Sequence, residues 1–254
     1  MEYIPGDPYL SIVKNPTVSH LQDSASFISK LSNNISLAKS FIKFDAVDGF
    51  SSLTRHIYSI RQRFSLMSTD HIPSSYKLEA KKLLDIFELR INEVEAKVTS
   101  EIESGFISDS IMPHDRWVSP SDFGFHNAIY TSKRIMFIDF EFAGWDDPSK
   151  TVLDFWMQPR VKIPNIWISI ITSLLIYHKK DHLLTRLLSA SYIFELKWAA
   201  IILSVLNPLR FSQILLNSDD QDKDNLVSSR LQKAVPYLHR MYSSEFEHSY
   251  KLFI

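Results

Sequence analysis

Three polar residues, Asp122, Asn127 and Asp139, have the types and spacing that metal-assisted phosphoryl transfer requires. In that chemistry one carboxylate orients or deprotonates an attacking hydroxyl, while an amide oxygen and a second carboxylate hold a divalent cation on the phosphates. Asp122 and Asn127 are close enough in sequence to project from opposite ends of one loop. Two β-prone runs follow, Asn127–Tyr130 and Arg134–Asp139, separated by Thr131-Ser132-Lys133, and a hairpin built from them returns Asp139 to the side of Asn127. Taken singly, Asp122 is as readily a turn or helix N-cap residue; the joint arrangement points to chemistry. Glu141 reads either as a contact for a cationic substrate or second metal, or as a solvated acid at a strand end. Asp139-Phe140-Glu141 also fits the paired acids of two-metal nucleases. That reading lacks a convincing set of later acids and leaves the Asp122–Asn127 spacing without a role. His126 is expected to pack under the loop, with substrate contact as its alternative, and no His-Glu-x-x-His zinc pattern occurs.

The elements that must position these residues are mostly helical. Only 5 glycines occur in 254 residues, which leaves little provision for tight hairpins. A helix is predicted over 16–33, opened by Pro16 and Thr17 and carrying Leu21, Phe27, Ile28 and Leu31 at helical spacing. Others are predicted from Ser51 to the Ser65 region and from near Pro73 past Val98. The last has Leu83, Leu84, Phe87, Ile91, Val94 and Val98 as a core-facing stripe rather than a coiled-coil seam. After Asp139 helices are predicted at about 148–158, 164–178, 181–207 with a possible break, and 223–245. Asp146 and Asp147 are expected as turn formers ahead of the helix starting at Pro148. Trp145, Trp156, Trp167 and Trp198 are expected in the core or a pocket wall, and Ser218–Asp224 as a solvated loop. The fold class is therefore mainly α with a small β-hairpin (α+β).

Composition removes several functional classes. The net charge of −1 and pI near 6.8 give no overall attraction to nucleic acid or an anionic membrane. Without cysteine there are no disulfides, thiolate nucleophiles, zinc-thiolate sites or iron–sulfur clusters. Met1-Glu2-Tyr3-Ile4-Pro5 does not read as a secretory signal. The apolar stretch from Ile163 to Tyr177 is broken by Pro164, Asn165, Ser169 and Thr172, short of the roughly 20 apolar residues of a membrane span. The expectation is a cytoplasmic protein acting on a small molecule, with no nucleic-acid partner and no membrane insertion.

Ser119-Pro-Ser-Asp-Phe-Gly-Phe-His-Asn127 and Phe137-Ile-Asp-Phe-Glu-Phe-Ala-Gly-Trp-Asp-Asp-Pro148 resemble the Asp-x4-Asn catalytic loop and Ile-Asp-Phe-Glu metal motif of the aminoglycoside-phosphotransferase/choline-kinase family. Gly144-Trp145, Asp147-Pro148 and Asp154 fall where that family commonly has a Gly-Trp, an Asp-Pro and a further helix Asp. The resemblance implies Asp122 as catalytic base, Asn127 and Asp139 as Mg2+ ligands, Asp154 as a structural acid bracing the loop, and Ile129 and Ile138 as an apolar floor under adenine. Glu2-Tyr3-Ile4-Pro5-Gly6 is similar to the family's interlobe hinge, which implies that Glu2, Tyr3 and Ile4 lie along the adenine edge. Pro120 stands where the family often has a His.

On this resemblance residues 1–254 form a single phosphotransferase lobe. It comprises a hinge-like segment (2–6), a catalytic loop and metal-binding hairpin (115–142), and a helical substrate side (148–254). It is the C-terminal lobe of a protein-kinase-like fold, with the N-terminal β-rich lobe absent. The glycine-rich lid and strand Lys that grip the phosphates are not found, and neither Lys14 nor Lys30 is placed to replace that Lys. The implied activity is ATP-dependent, Mg2+-requiring transfer of the γ-phosphoryl group to a substrate hydroxyl, in a truncated or N-terminally incomplete form. A catalytically inactive kinase-like binding or scaffold protein is the alternative. The acceptor stays open among sugar, amino alcohol, aminoglycoside and cell-envelope precursor.

Overall fold

Helix formation follows the local signals closely. In the computed structural model, which describes residues 5–131, 134–216 and 223–251, Thr17 caps its helix through a reciprocal box with His20: the Thr17 hydroxyl accepts the His20 N–H, and the Thr17 N–H reaches the His20 ring. In chain order the elements are β1 (Asp7–Pro8), α1 (Tyr9–Ile12), α2 (Val18–Asn33), α3 (Ile35–Phe41), α4 (Leu53–Ser65), α5 (Lys77–Glu103), β2 (Trp117–Ser119), β3 (Ala128–Tyr130), β4 (Ile135–Phe137) and β5 (Gly144–Asp146). They continue with α6 (Pro148–Met157), α7 (Ile166–Tyr177), α8 (Leu183–Ile202), α9 (Pro208–Leu216), α10 (Lys223–Leu238) and α11 (Met241–Tyr250).

The chain divides into two compact units, one made of Met1–Ser52, Ser110–Leu188 and Phe246–Ile254, the other of Leu53–Asp109 and Ser189–Glu245. The first contains both sheets. β3 and β4 form the antiparallel hairpin expected from the sequence, with Ile129 opposite Met136; its Ser132 and Lys133 lie outside the described residues. β1 adds to the free edge of β3, Asp7 opposite Tyr130 and Pro8 opposite Ile129. Gly6 makes that approach possible. Its φ is +154°, and a Cβ there would sit 2.7 Å from both the Ile129 side chain and the Tyr130 carbonyl. The core of this unit is aromatic: Phe123 packs on Phe27, Phe137 and Phe155, and Phe155 meets Trp167.

In the second unit Leu83, Phe87, Ile91, Val94 and Val98 of α5 are buried as one stripe, and α5 packs against α4 and α10. Leu84, counted with that stripe in the sequence, is only partly buried.

Several elements were not expected. β2 and β5 pair antiparallel, Val118 opposite Trp145, in a ladder of three residues per strand, too short to display a period of two. α3 has no buried side chain and so no apolar stripe to read. The helix predicted over 223–245 is two helices, because the chain turns at His239–Arg240 with Arg240 in the left-handed region (φ +59°) and no glycine or asparagine to announce it. The break foreseen within 181–207 is a 3-10 turn at Leu203–Leu206. The window Leu183–Leu206 is apolar and long enough for a membrane span by composition, and is 72 % buried inside the protein. It carries Arg186 and Glu195, both buried, as a core helix does. Residues 218–222 of the predicted polar loop lie outside the described residues, and its last two, Lys223 and Asp224, begin α10.

Candidate functional site

The loop 119–127 is anchored by alternate residues. Phe123 and Phe125 are buried, with Phe125 stacked on Tyr9 at 4.2 Å between ring centroids and set against Phe155. This leaves Asp122 on the surface, with His126 and Asn127 partly exposed beside it. Ser121, just before Asp122, is in the left-handed region (φ +69°), an unusual conformation for serine that the surroundings hold in place. Its hydroxyl donates to the Val47 carbonyl (2.7 Å), and its N–H donates to Ser119 Oγ (3.0 Å). The buried Lys150 of α6 donates to the Ser121 carbonyl (2.8 Å) and hydroxyl (3.1 Å).

Asp122 is held from two sides. His126 Nε2 donates to its Oδ1 at 3.0 Å, and Asn127 Nδ2 donates to its backbone carbonyl (3.0 Å) and to Oδ2 (3.2 Å). The hydrogen bond from His126 is the main reason the carboxyl sits below the ordinary aspartate range. Partial burial opposes it, and Asn127 and the charge of Arg160 add to it. The Asn127 amide nitrogen is thus committed to Asp122, which turns its carbonyl oxygen to the other side of the side chain. The hairpin ladder continues one step beyond β3 and β4: the Ile138 N–H donates to the Asn127 carbonyl at 2.9 Å, bringing the next residue, Asp139, alongside. Asp139 is exposed and in the left-handed region (φ +66°), where aspartate is among the better tolerated residues.

Asp122, Asn127 and Asp139 therefore lie at one end of one hairpin. Ile129 and Ile138 are both partly buried on that hairpin. Glu2, Tyr3 and Ile4 lie outside the described residues, and the segment that follows them runs against Ile129 through β1. Asp154 is buried, with its Oδ2 3.9 Å from Lys150 Nζ, and Lys150 bonds the loop directly at Ser121. Asp147 caps α6 by accepting the Ser149 N–H (2.8 Å) and is paired with Arg186. Asp146 is more than a turn former: buried in β5, it accepts N–H bonds from Phe50 and Asp147, and desolvation raises its carboxyl to about 6. Glu141 is exposed, and among the described residues no three of His, Asp and Glu gather as a metal group.

Sequence reasoning missed Lys150 and Gln158. Gln158 is buried and its Oε1 lies 3.1 Å from His126 Nδ1. Neither residue carries a local signal, since their partners are about thirty residues away in sequence. His126, expected as packing, is buried to 10 % side-chain exposure and also bonds Asp122 directly.

No family model and no curated protein matches the sequence. Solved structures match in fold. A choline kinase from Cryptosporidium parvum Iowa II superposes with a TM-score of 0.54 at 13% identity, over 96% of this chain and 71% of that one. A choline/ethanolamine kinase family protein from Mesorhizobium loti gives 0.50 at 13% identity, over 95% and 68%. This chain has the fold of the choline/ethanolamine kinases. A thermostable mutant of aminoglycoside phosphotransferase APH(4)-Ia superposes more loosely, with a TM-score of 0.44 at 13% identity, over 93% of this chain and 70% of that one. At these identities the choline/ethanolamine-kinase fold is what is shared, and residue roles rest on the geometry above.

Proposed function

We propose that this chain is the catalytic, acceptor-side part of a small-molecule phosphotransferase that uses ATP and Mg2+, with Asp122 as base and Asn127 and Asp139 as metal ligands. One observation carries the reading: Asn127 spends its amide N–H on Asp122 while the Ile138 N–H to Asn127 carbonyl bond sets Asp139 beside it. These bonds support a reading in which a base and two oxygen donors share one end of one hairpin. The donor set suits Mg2+, which is usually held by one or two side-chain oxygens together with substrate phosphates and water. When bound, the ion neutralises charge on the triphosphate.

The chain's own residues supply orientation and proton transfer. Asp122 accepts the proton of the acceptor hydroxyl as its oxygen bonds to the γ-phosphorus and the bond to the β–γ bridging oxygen breaks, giving a phosphomonoester and ADP. A carboxylate held this low remains ionised at neutral pH and orients the hydroxyl until late in the transfer. Ile129 and Ile138 are offered as the apolar floor for adenine, with the 2–6 segment at its edge. The setting we propose is the cytoplasm, which a cysteine-free chain suits. The acceptor is a small molecule with a hydroxyl; choline, ethanolamine and an aminoglycoside are the first to test.

A second reading has an observation of its own. None of the strands among the described residues carries a lysine, so a phosphate-gripping strand Lys has to come from residues outside them. If nothing supplies it, the chain is a kinase-like binding or scaffold protein. Phosphoryl transfer from [γ-32P]ATP to a panel of hydroxyl acceptors, in wild type and Asp122→Asn, separates the two. Transfer that Asp122→Asn abolishes supports the phosphotransferase. No transfer, together with no Mg2+-dependent ATP binding, supports the scaffold.

A further inference from the structure

His126 and Gln158 form a relay that ends on Asp122. Gln158, the C-cap residue of α6, is buried to 3 % exposure and contacts His126 Nδ1 at 3.1 Å. The opposite ring nitrogen, Nε2, donates to Asp122 Oδ1 at 3.0 Å. The ring has a fitted seat: a Cβ on Gly124 would lie 2.6 Å from His126 Cε1 and Nδ1 and 2.9 Å from Gln158 Nε2, so only glycine leaves room for the imidazole at that place. Along the chain, Phe123 and Phe125 fix the loop backbone from below, but they do not set the rotation of the Asp122 side chain, which is 65 % exposed. That rotation is set by what its two oxygens touch. Oδ2 is 3.2 Å from Asn127 Nδ2, an amide that also has to present its own oxygen to a cation. Oδ1 has His126.

We propose that His126, seated by Gln158 and Gly124, is a positioning residue that fixes the Asp122 carboxylate for proton acceptance; this rests on the phosphotransferase reading above. Pro120 stands two residues before Asp122, and a proline side chain donates no hydrogen bond, so the brace enters from the other side of the aspartate. With Oδ1 fixed by a donor on its inner side, the lone pair left for a hydroxyl proton points outward. A freely rotating carboxylate holds that direction only part of the time. Misplacement of a reacting group by about 1 Å costs on the order of 100-fold in rate, which bounds the effect from above.

The test uses the full chain in three variants. In His126→Gln the amide nitrogen reaches the place of Nε2 and can still donate to Asp122; in His126→Leu nothing donates; in Gln158→Leu the ring loses its anchor. Two readouts are taken, the 13Cγ resonance of Asp122 at pH 7 and steady-state Mg2+-ATP hydrolysis with water as acceptor. The Asp122 resonance is expected to stay near wild type in His126→Gln and to move in both Leu variants. For hydrolysis, kcat is expected to fall roughly 10- to 100-fold in His126→Leu with KM for ATP changed less than about two-fold, and His126→Gln is expected to recover most of it. An Asp122 resonance that does not move in His126→Leu overturns the proposal. So does an equal loss of kcat in His126→Gln and His126→Leu, which marks a packing role only. A wild type that neither binds Mg2+-ATP nor transfers phosphate to water or to any hydroxyl acceptor, while the Asp122 resonance moves as expected, overturns the phosphotransferase reading and leaves the coupling of His126 to Asp122 standing.

Discussion

Replacing Lys150 by methionine is expected to loosen the loop that carries Asp122 and to do so more at high pH than at low. Lys150 is 3 % exposed and its ammonium group makes two bonds to Ser121, at 2.8 and 3.1 Å, while standing 3.8 Å from Asp146 and 3.9 Å from Asp154. Hydrogen bonds from a charged donor contribute about 1.5–3 kcal/mol each. The two Ser121 bonds share one donor and are not additive, so about 3 kcal/mol is the expected cost at pH 8. Methionine matches the length of the stem and leaves no large cavity. Asp146 supplies the pH dependence. Burial raises it to about 6 against the pull of the Lys150 charge; without that charge it rises further. At pH 8 the variant buries an ionised carboxylate lacking its cation, whereas at pH 5 the carboxyl takes a proton and that part of the cost disappears. Urea unfolding at pH 5 and pH 8 measures both, and the double variant Lys150→Met/Asp146→Asn is expected to recover part of the pH 8 loss. A Lys150→Met protein within about 0.5 kcal/mol of wild type at pH 8, the usual span of a neutral surface change, refutes the reasoning, as does a larger loss at pH 5.

Three further outcomes are expected. Gly124→Ala places a methyl group against the His126 ring and should lower phosphoryl transfer much as His126→Leu does, while the unfolding midpoint moves little; a variant with wild-type transfer contradicts the fitted seat. His126→Leu should raise the Asp122 titration, because the hydrogen bond from His126 is the largest influence holding it down, so the acid limb of activity moves to higher pH; a limb that stays in place or moves down is the contrary result. Glu195 is buried and raised by desolvation to about 7 while accepting the Tyr242 and Ser243 N–H groups. An acid raised on folding favours the folded state fully below its unfolded value near 4.5 and loses that contribution as pH rises through 7. Wild-type stability should therefore carry a downward component of about 1–3 kcal/mol between those limits that Glu195→Gln removes, read from denaturation curves against pH; identical pH slopes in the two proteins contradict it.

Local signals made much of this architecture legible. Thr17 opened its helix where the sequence placed it, the Leu83–Val98 stripe faced a core, and the two β-prone runs around Thr131 formed one hairpin. The proximity of Asn127 and Asp139 followed from that hairpin, because a paired ladder fixes which residues end side by side. What escaped depends on pairings between distant segments. Val118 meets Trp145, Lys150 reaches Ser121 and Gln158 reaches His126; none of these has a period or motif. The fitted place for His126 shows the limit most clearly, since its packing was foreseen but its bond to Asp122 required knowing that α6 ends beneath the loop. The turn at Arg240 was equally hidden, being a left-handed residue without the glycine that usually marks one.

The central claim, that Asn127 and Asp139 hold a divalent cation beside Asp122, is tested most directly with Mn2+ and a non-hydrolysable ATP analogue, following paramagnetic broadening of the backbone amide resonances. In wild type the signals of Asn127, Ile138 and Asp139 are expected to broaden on addition of Mn2+ with the analogue, and in Asp139→Asn they are expected to remain sharp at the same concentrations. Broadening confined to other parts of the chain, or identical in the two proteins, would contradict the account.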